Sequence, residues 1–162
     1  MMKPKKHKAG WSQGEYVVIN KQKYVGDHVP IYRSSWEHRF CSWCDQNSKV
    51  IKWGSECVKI PYTWQGKIHT YHTDFFVLLY DNDDKLRKFI VEIKPHGQGP
   101  FANKKGQIGK PREPRNRTVK ALKRYLYEVQ QWEKNAAKWA AAQFYCAQNK
   151  LEFIILSKED LL

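Results

Sequence analysis

"HTYHTDFFVLLYDNDDKLRKFIVEIKP", residues 69–95, holds two apolar, β-branched and aromatic runs around the polar stretch Asp81–Lys85. That pattern predicts a β-hairpin with a five-residue loop at 81–85. Such a loop pairs position 80 with 86, and the same register sets Asp74 opposite Glu92. Cβ atoms of directly opposed residues lie about 4.5–5.5 Å apart. Side chains alternate along a strand, so Lys94 shares their face, and Pro95 stops the run. Two facing carboxylates repel each other and are costly to bury unless a cation neutralises them. A divalent metal meets that need, and an oxygen-only ligand set selects Mg²⁺ or Mn²⁺ over zinc. The competing reading is a structural Asp/Glu/Lys cluster closed by a salt bridge.

Outward from the hairpin, the rest of the chain reads as alternating helix and strand. Ser34 and Glu37, three residues apart, predict a capped helix start, and Trp36, Phe40 and Trp43 repeat at helical spacing. Residues 50–60 read as one irregular strand region interrupted by Gly54, and 69–80 and 86–94 as the next two strands. Residues 95–116 lack periodicity and predict a long basic loop. A helix is expected from about Thr118, with Leu122, Leu126, Val129, Trp132, Ala136, Ala140 and Phe144 as its apolar stripe. Residues 151–156, "LEFIIL", predict a last buried strand. The expected order is α-β-β-β-α-β, an α/β fold with a central mixed sheet flanked by helices. Residues 1–14 are expected to be a flexible basic arm and 15–162 one domain.

Charge points to the partner. The chain of 162 residues carries 29 Lys and Arg against 16 Asp and Glu, a net charge of +13. Lys3, Lys5, Lys6 and Lys8 form one cluster without acids. Lys104, Lys105, Lys110, Arg112, Arg115, Arg117, Lys120, Lys123 and Arg124 form a second, opposed by Glu113 alone. Two unmatched clusters favour a polyanion such as nucleic acid over a merely solvated surface. Neither lies on a clear amphipathic helix, and no apolar run has the length of a membrane span, so a soluble cytosolic protein is expected. Four cysteines fit that compartment as free thiols. The C-x-x-C at Cys41 and Cys44 admits a zinc site, but it falls inside a helical stretch with no second pair.

A first-helix Glu, then an Asp, then E-x-K across a hairpin resembles the core of the PD-(D/E)xK nuclease superfamily. Here the pieces are "SSWEHRF", "YHTDFF" and "VEIKP", with Thr73 where the family usually has Pro. The blocks "YRSSWEHRFCSWCDQN", "VIKWGSECVKIPY", "HTYHTDFFV", "FIVEIKP" and "EFIILSKEDL" are similar to the small head-completion nucleases of contractile-tailed phages. That group is related to TnsA-type transposon endonucleases. The resemblance covers roughly residues 24–162 and implies a restriction-endonuclease-like core.

The resemblance implies roles residue by residue. Asp74 and Glu92 match the metal-binding acids, Lys94 the motif lysine beside the attacking water, and Glu37 the first-helix acid that completes the set. Glu37 also has a sufficient structural reason to be there, as the N3 residue of a capping box. Glu56 and His72 are accessory candidates, each with a plain surface role as the alternative. Gln130, Asn135 and Lys138 lie on the long helix, and the sequence does not choose among them. The implied activity is Mg²⁺-dependent endodeoxyribonuclease, with Mn²⁺ substituting, in the host cytoplasm during phage assembly. DNA is the implied partner, with capsid or portal-vertex proteins as further candidates. Two alternatives stand beside it: a non-catalytic DNA-binding head-closure protein that keeps the fold, and a nuclease for branched DNA or RNA.

Overall fold

The computed structural model describes residues 6–7, 11–94, 111–157 and 160–161. In chain order the elements are β1 (Lys6–His7), β2 (Trp11–Ser12), β3 (Gly14–Glu15), β4 (Ile31–Tyr32), α1 (Ser35–Gln46) and β5 (Val50–Ser55). They continue with β6 (Lys59–Trp64), β7 (Lys67–His72), β8 (Phe75–Tyr80), β9 (Leu86–Lys94), α2 (Val119–Gln148) and β10 (Glu152–Ser157). Four strands form the central sheet in the order β10-β9-β8-β5. β10 runs parallel to β9 and the other neighbours are antiparallel, so the sheet is mixed as expected. The backbone pairing of β1 with β2 falls inside the stretch expected to be a flexible arm.

The register of the hairpin follows from its loop: Tyr80 pairs with Leu86 and Phe75 with Val91. Alternation then sorts β9 by face. Phe89, Val91 and Ile93 enter one core with Phe40, Cys41 and Cys44 of α1 and with Trp53, Phe75 and Val77. Trp53 is fully buried there, and each such large apolar side chain contributes roughly 1.5–3 kcal/mol. Glu92 and Lys94 are left for the opposite face. A second core covers that side, built from Ile60, Tyr62, Tyr71 and Ala142, with Tyr145 and Phe153 packed against it.

Two strand expectations need correction. Residues 50–60 are not one strand but the whole of β5 and the start of β6, and 69–80 divide into β7 and β8. β6 and β7 make a separate two-stranded sheet. The division is fixed by a cross-chain contact: Thr73 donates both its backbone N–H (3.2 Å) and its hydroxyl (3.0 Å) to the carbonyl of Val58. Thr73 is fully buried, so at this point the chain leaves one sheet and enters the other.

The long helix starts where expected, with Thr118 accepting from the Ala121 N–H at 3.2 Å. Asn149 caps its end, and Lys150 turns with φ 56°. The stripe is a correction: Leu126 and Phe144 are exposed, as are Ala136 and Ala140. The packed side is instead Ala137, Ala141, Ala142, Tyr145 and Cys146. Cys41 and Cys44 are buried free thiols inside α1. Burial pushes the Cys41 thiol up to about 12 and the Cys44 thiol well above its ordinary range.

Candidate active site

Asp74 sits one residue before β8, where the antiparallel ladder with β9 has just ended. Its side chain extends that ladder: Oδ2 accepts the Ile93 N–H at 2.8 Å. The Asp74 carbonyl accepts from the Glu56 N–H at 3.0 Å. To deliver that N–H, Glu56 adopts φ 50°, in the left-handed region that costs an L-residue about 1–2 kcal/mol. Backbone and side chain of Asp74 are thus both held.

Glu92 is buried, with only 5% of its surface exposed. Its oxygens are divided between two partners: Lys94 Nζ lies 3.0 Å from Oε1, and the Tyr71 hydroxyl donates to Oε2. Glu37 completes the cluster from the first turn of α1. Ser34 Oγ accepts the Glu37 N–H at 3.2 Å and donates to Glu37 Oε1 at 3.1 Å, while Arg33 N–H donates to Oε2 at 2.8 Å. Cap and carboxylate site therefore coincide at one residue. Arg33 also forms an ion pair with Glu56, which ties the Asp74 and Glu37 supports together.

The electrostatics show that these groups sense one another. Burial first, then the charge of Glu92 and further that of Glu37, push the Asp74 carboxyl well above the usual carboxylate range, against the Ile93 N–H and Lys94. Burial also raises Glu37, with Arg33 and Ser34 opposing and Glu92 adding to the rise. At Lys94 burial pulls the ammonium down, but Glu92, Asp74 and Glu37 outweigh it and leave its pKa raised. Lys94 pairs with Glu92, and Arg33 and Lys138 also act on the three carboxylates.

Whether a divalent cation fits follows from the donor set. Among the described residues no three His, Cys, Asp or Glu side chains converge as a ready-made cage. The available oxygens are Asp74 Oδ1 and the Glu92 carboxylate, backed by Glu37. An all-oxygen set of two to three carboxylates suits Mg²⁺, which keeps several waters and takes only one or two protein carboxylates.

The other sequence candidates fall elsewhere. Glu56 lies beside the site through its backbone, but its carboxylate is taken by Arg33. His72 is a correction. Its parity with Asp74 assumes one continuous strand, whereas His72 ends β7, opposite Lys59 and exposed in the other sheet. Arg112, Arg115, Arg117 and Lys120 are exposed, and Arg117 pairs with Glu113 at 3.0 Å. Lys104, Lys105, Lys110, Lys3, Lys5 and Lys8 lie outside the described residues, as does the side chain of Lys6. Of the three polar residues on the long helix, Lys138 is the one that comes to the site: its Nζ stands 5.4 Å from the centre of the Tyr71 ring. An apolar groove of about 470 Å³ opens on the α1 side, lined by Phe40, Trp43, Phe89 and Leu156, and holds none of the clustered acids.

Tyr71 is the residue the sequence reading missed. It is buried at the inner end of the β6–β7 hairpin, and its burial and the Glu92 charge push its phenol far above the ordinary value. It stays a hydrogen-bond donor at every working pH. Tyr71→Phe removes that donor with little change of volume and is expected to lower cleavage about 10- to 100-fold, as loss of a ligand-orienting partner typically does. Raising the Mg²⁺ concentration should recover part of the loss, which a cleavage titration reads; full activity at low Mg²⁺ would count against the role.

Residues 47–158 match the family described as TnsA-like endonuclease N terminal. The chain is 36% identical over 151 residues to the head completion nuclease of Enterobacteria phage T4, covering 91% of this chain and 92% of that protein. No solved structure matches the chain. The β8–β9 hairpin, α2 and the last strand fall within residues 47–158, α1 lies just before them, and the chain belongs to the TnsA-like endonuclease family.

Proposed function

We propose that this endonuclease is a Mg²⁺-dependent enzyme that hydrolyses phosphodiester bonds in DNA during completion of phage heads. The observation that carries the reading is half-buried Asp74 acting on buried Glu92, with Lys94 bound to Glu92 at 3.0 Å. Asp74, Glu92 and Glu37 would hold the cation, which supplies Lewis-acid stabilisation of charge developing on the scissile phosphate. Lys94 presents a positive group near the attacking water and the phosphoryl oxygens. Glu92 orients Lys94, and Tyr71 orients Glu92. The Ile93 N–H fixes Asp74, so the acids are preorganised by strand backbone rather than by a loop.

The phage role rests on the relative's name, and with it come a place in the host cytoplasm and contacts with capsid or portal-vertex proteins. Among the described residues no helix is long and apolar enough to cross a membrane. Exposed Arg112, Arg115 and Lys120 add positive charge that fixes phosphates without reading sequence. The test is incubation of the protein with linear, circular and branched DNA and with RNA in Mg²⁺, beside Lys94→Ala. Cleavage of DNA by the wild type alone is the expected result. Equal inactivity of both proteins on every substrate would favour a head-closure protein that has only the fold.

A further inference from the structure

Lys134 and Lys138 are one helical turn apart on α2, which sets their Cα atoms about 6 Å apart along the axis. Each lies against an aromatic ring of the β6–β7 hairpin: Lys138 Nζ is 5.4 Å from the Tyr71 ring centre and Lys134 Nζ 5.4 Å from that of Trp64. The hairpin register explains the alignment. Ile60 faces Tyr71, Tyr62 faces His69 and Trp64 faces Lys67, so these side chains share the face turned to α2. Tyr71 is at the inner end, bonded to Glu92, and Trp64 is next to the turn at Gln65–Gly66. Lys94, Lys138 and Lys134 therefore form a row that begins at the carboxylates and runs outward along the hairpin.

Nothing on the helix neutralises this row. Positions three and four residues from Lys134 and Lys138 on α2 are Gln130, Gln131, Asn135, Ala137, Ala141 and Ala142, apart from the two lysines themselves. Elsewhere on the same helix Arg124 is matched by Glu128 at 2.8 Å. Among the described residues neither Lys134 nor Lys138 has a carboxylate within ion-pair distance. Like charges one turn apart destabilise a helix. Burial lowers the Lys138 pKa, and Lys94 and Lys134 lower it further while Glu92 raises it, so the lysines act on one another. Beside them His69 stacks on Tyr62 with ring centres 5.4 Å apart, which leaves a firm floor of rings under the ammonium groups.

We propose that this face of α2 and the β6–β7 hairpin is the track for the sugar–phosphate backbone of the DNA strand as it leaves the carboxylate site, with Lys138 and Lys134 contacting successive phosphates. The proposal rests on the endonuclease reading and adds a binding surface separate from the basic segment at 102–124. Phosphate contacts of this kind position a strand without reading its sequence.

The test is the salt dependence of binding to a fluorescent blunt duplex, with Ca²⁺ replacing Mg²⁺, for wild type and for Lys134→Gln/Lys138→Gln. Loss of two phosphate contacts should lower the slope of log affinity against log salt by about 2, and Lys134→Arg/Lys138→Arg should keep it. Thermal unfolding of both variants guards against a folding defect. An unchanged slope in a folded glutamine variant would overturn the track and leave the lysines as packing for Trp64 and Tyr71. Plasmid nicking in Mg²⁺ by the same wild-type preparation separates the two readings. A wild type that fails to nick, with the slope still lowered in the variant, refutes the nuclease chemistry and supports the track.

Discussion

Asp74→Asn is expected to lose DNA cleavage by about two to three orders of magnitude while its metal-free form becomes more stable. Asparagine keeps the oxygen that accepts the Ile93 N–H, so the ladder end is preserved. What disappears is one carboxylate from a partly buried set in which burial first, and then mutual repulsion, raises Asp74 and Glu37. The sign follows from linkage. A folded Asp74 pKa above its unfolded value means that the unfolded chain gives up its proton first as pH rises, so stability is lost from about pH 4 upward. The asparagine variant escapes that loss. Its gain in melting temperature should therefore be larger at pH 7 than at pH 4, read in EDTA. A structural salt-bridge cluster predicts the reverse, a lower melting temperature with cleavage nearly intact.

Lys94→Ala is expected to separate chemistry from binding. It leaves Asp74, Glu37 and the Tyr71 bond to Glu92 in place, so DNA still binds in the presence of divalent cation. The positive group near the phosphoryl oxygens is gone, and removal of one such electrostatic contributor typically lowers the rate about 10²–10³-fold. Because Lys94 also offsets buried negative charge, the metal-free variant should be less stable at pH 7 and regain stability on adding Mg²⁺. Single-turnover cleavage and filter binding on one substrate check both halves. A variant that cleaves at the wild-type rate would remove Lys94 from the mechanism.

The β8–β9 hairpin is legible because its five-residue loop fixes a two-residue period that runs unbroken to Val91. Glu37 is legible for a different reason: its cap signature lies wholly within residues 34–37. The break at Thr73 is not legible, since the run through it stays β-branched and aromatic, and the carbonyl that divides it belongs to Val58, 15 residues away. The apolar stripe of α2 fails because alanines and aromatics occur on every side of that helix, and only the hairpin decides which side is covered. Tyr71 leaves no signal either; its partner Glu92 lies in another sheet, 21 residues on.

The most direct test of the central claim is titration of Mn²⁺ into wild type and Asp74→Asn, followed by the paramagnetic resonance of the free ion. If Asp74 and Glu92 hold a divalent cation, wild type takes up Mn²⁺ at a saturable site that Mg²⁺ displaces, and Asp74→Asn shows that uptake weakened at least tenfold. Identical saturable uptake by the two proteins would contradict the claim.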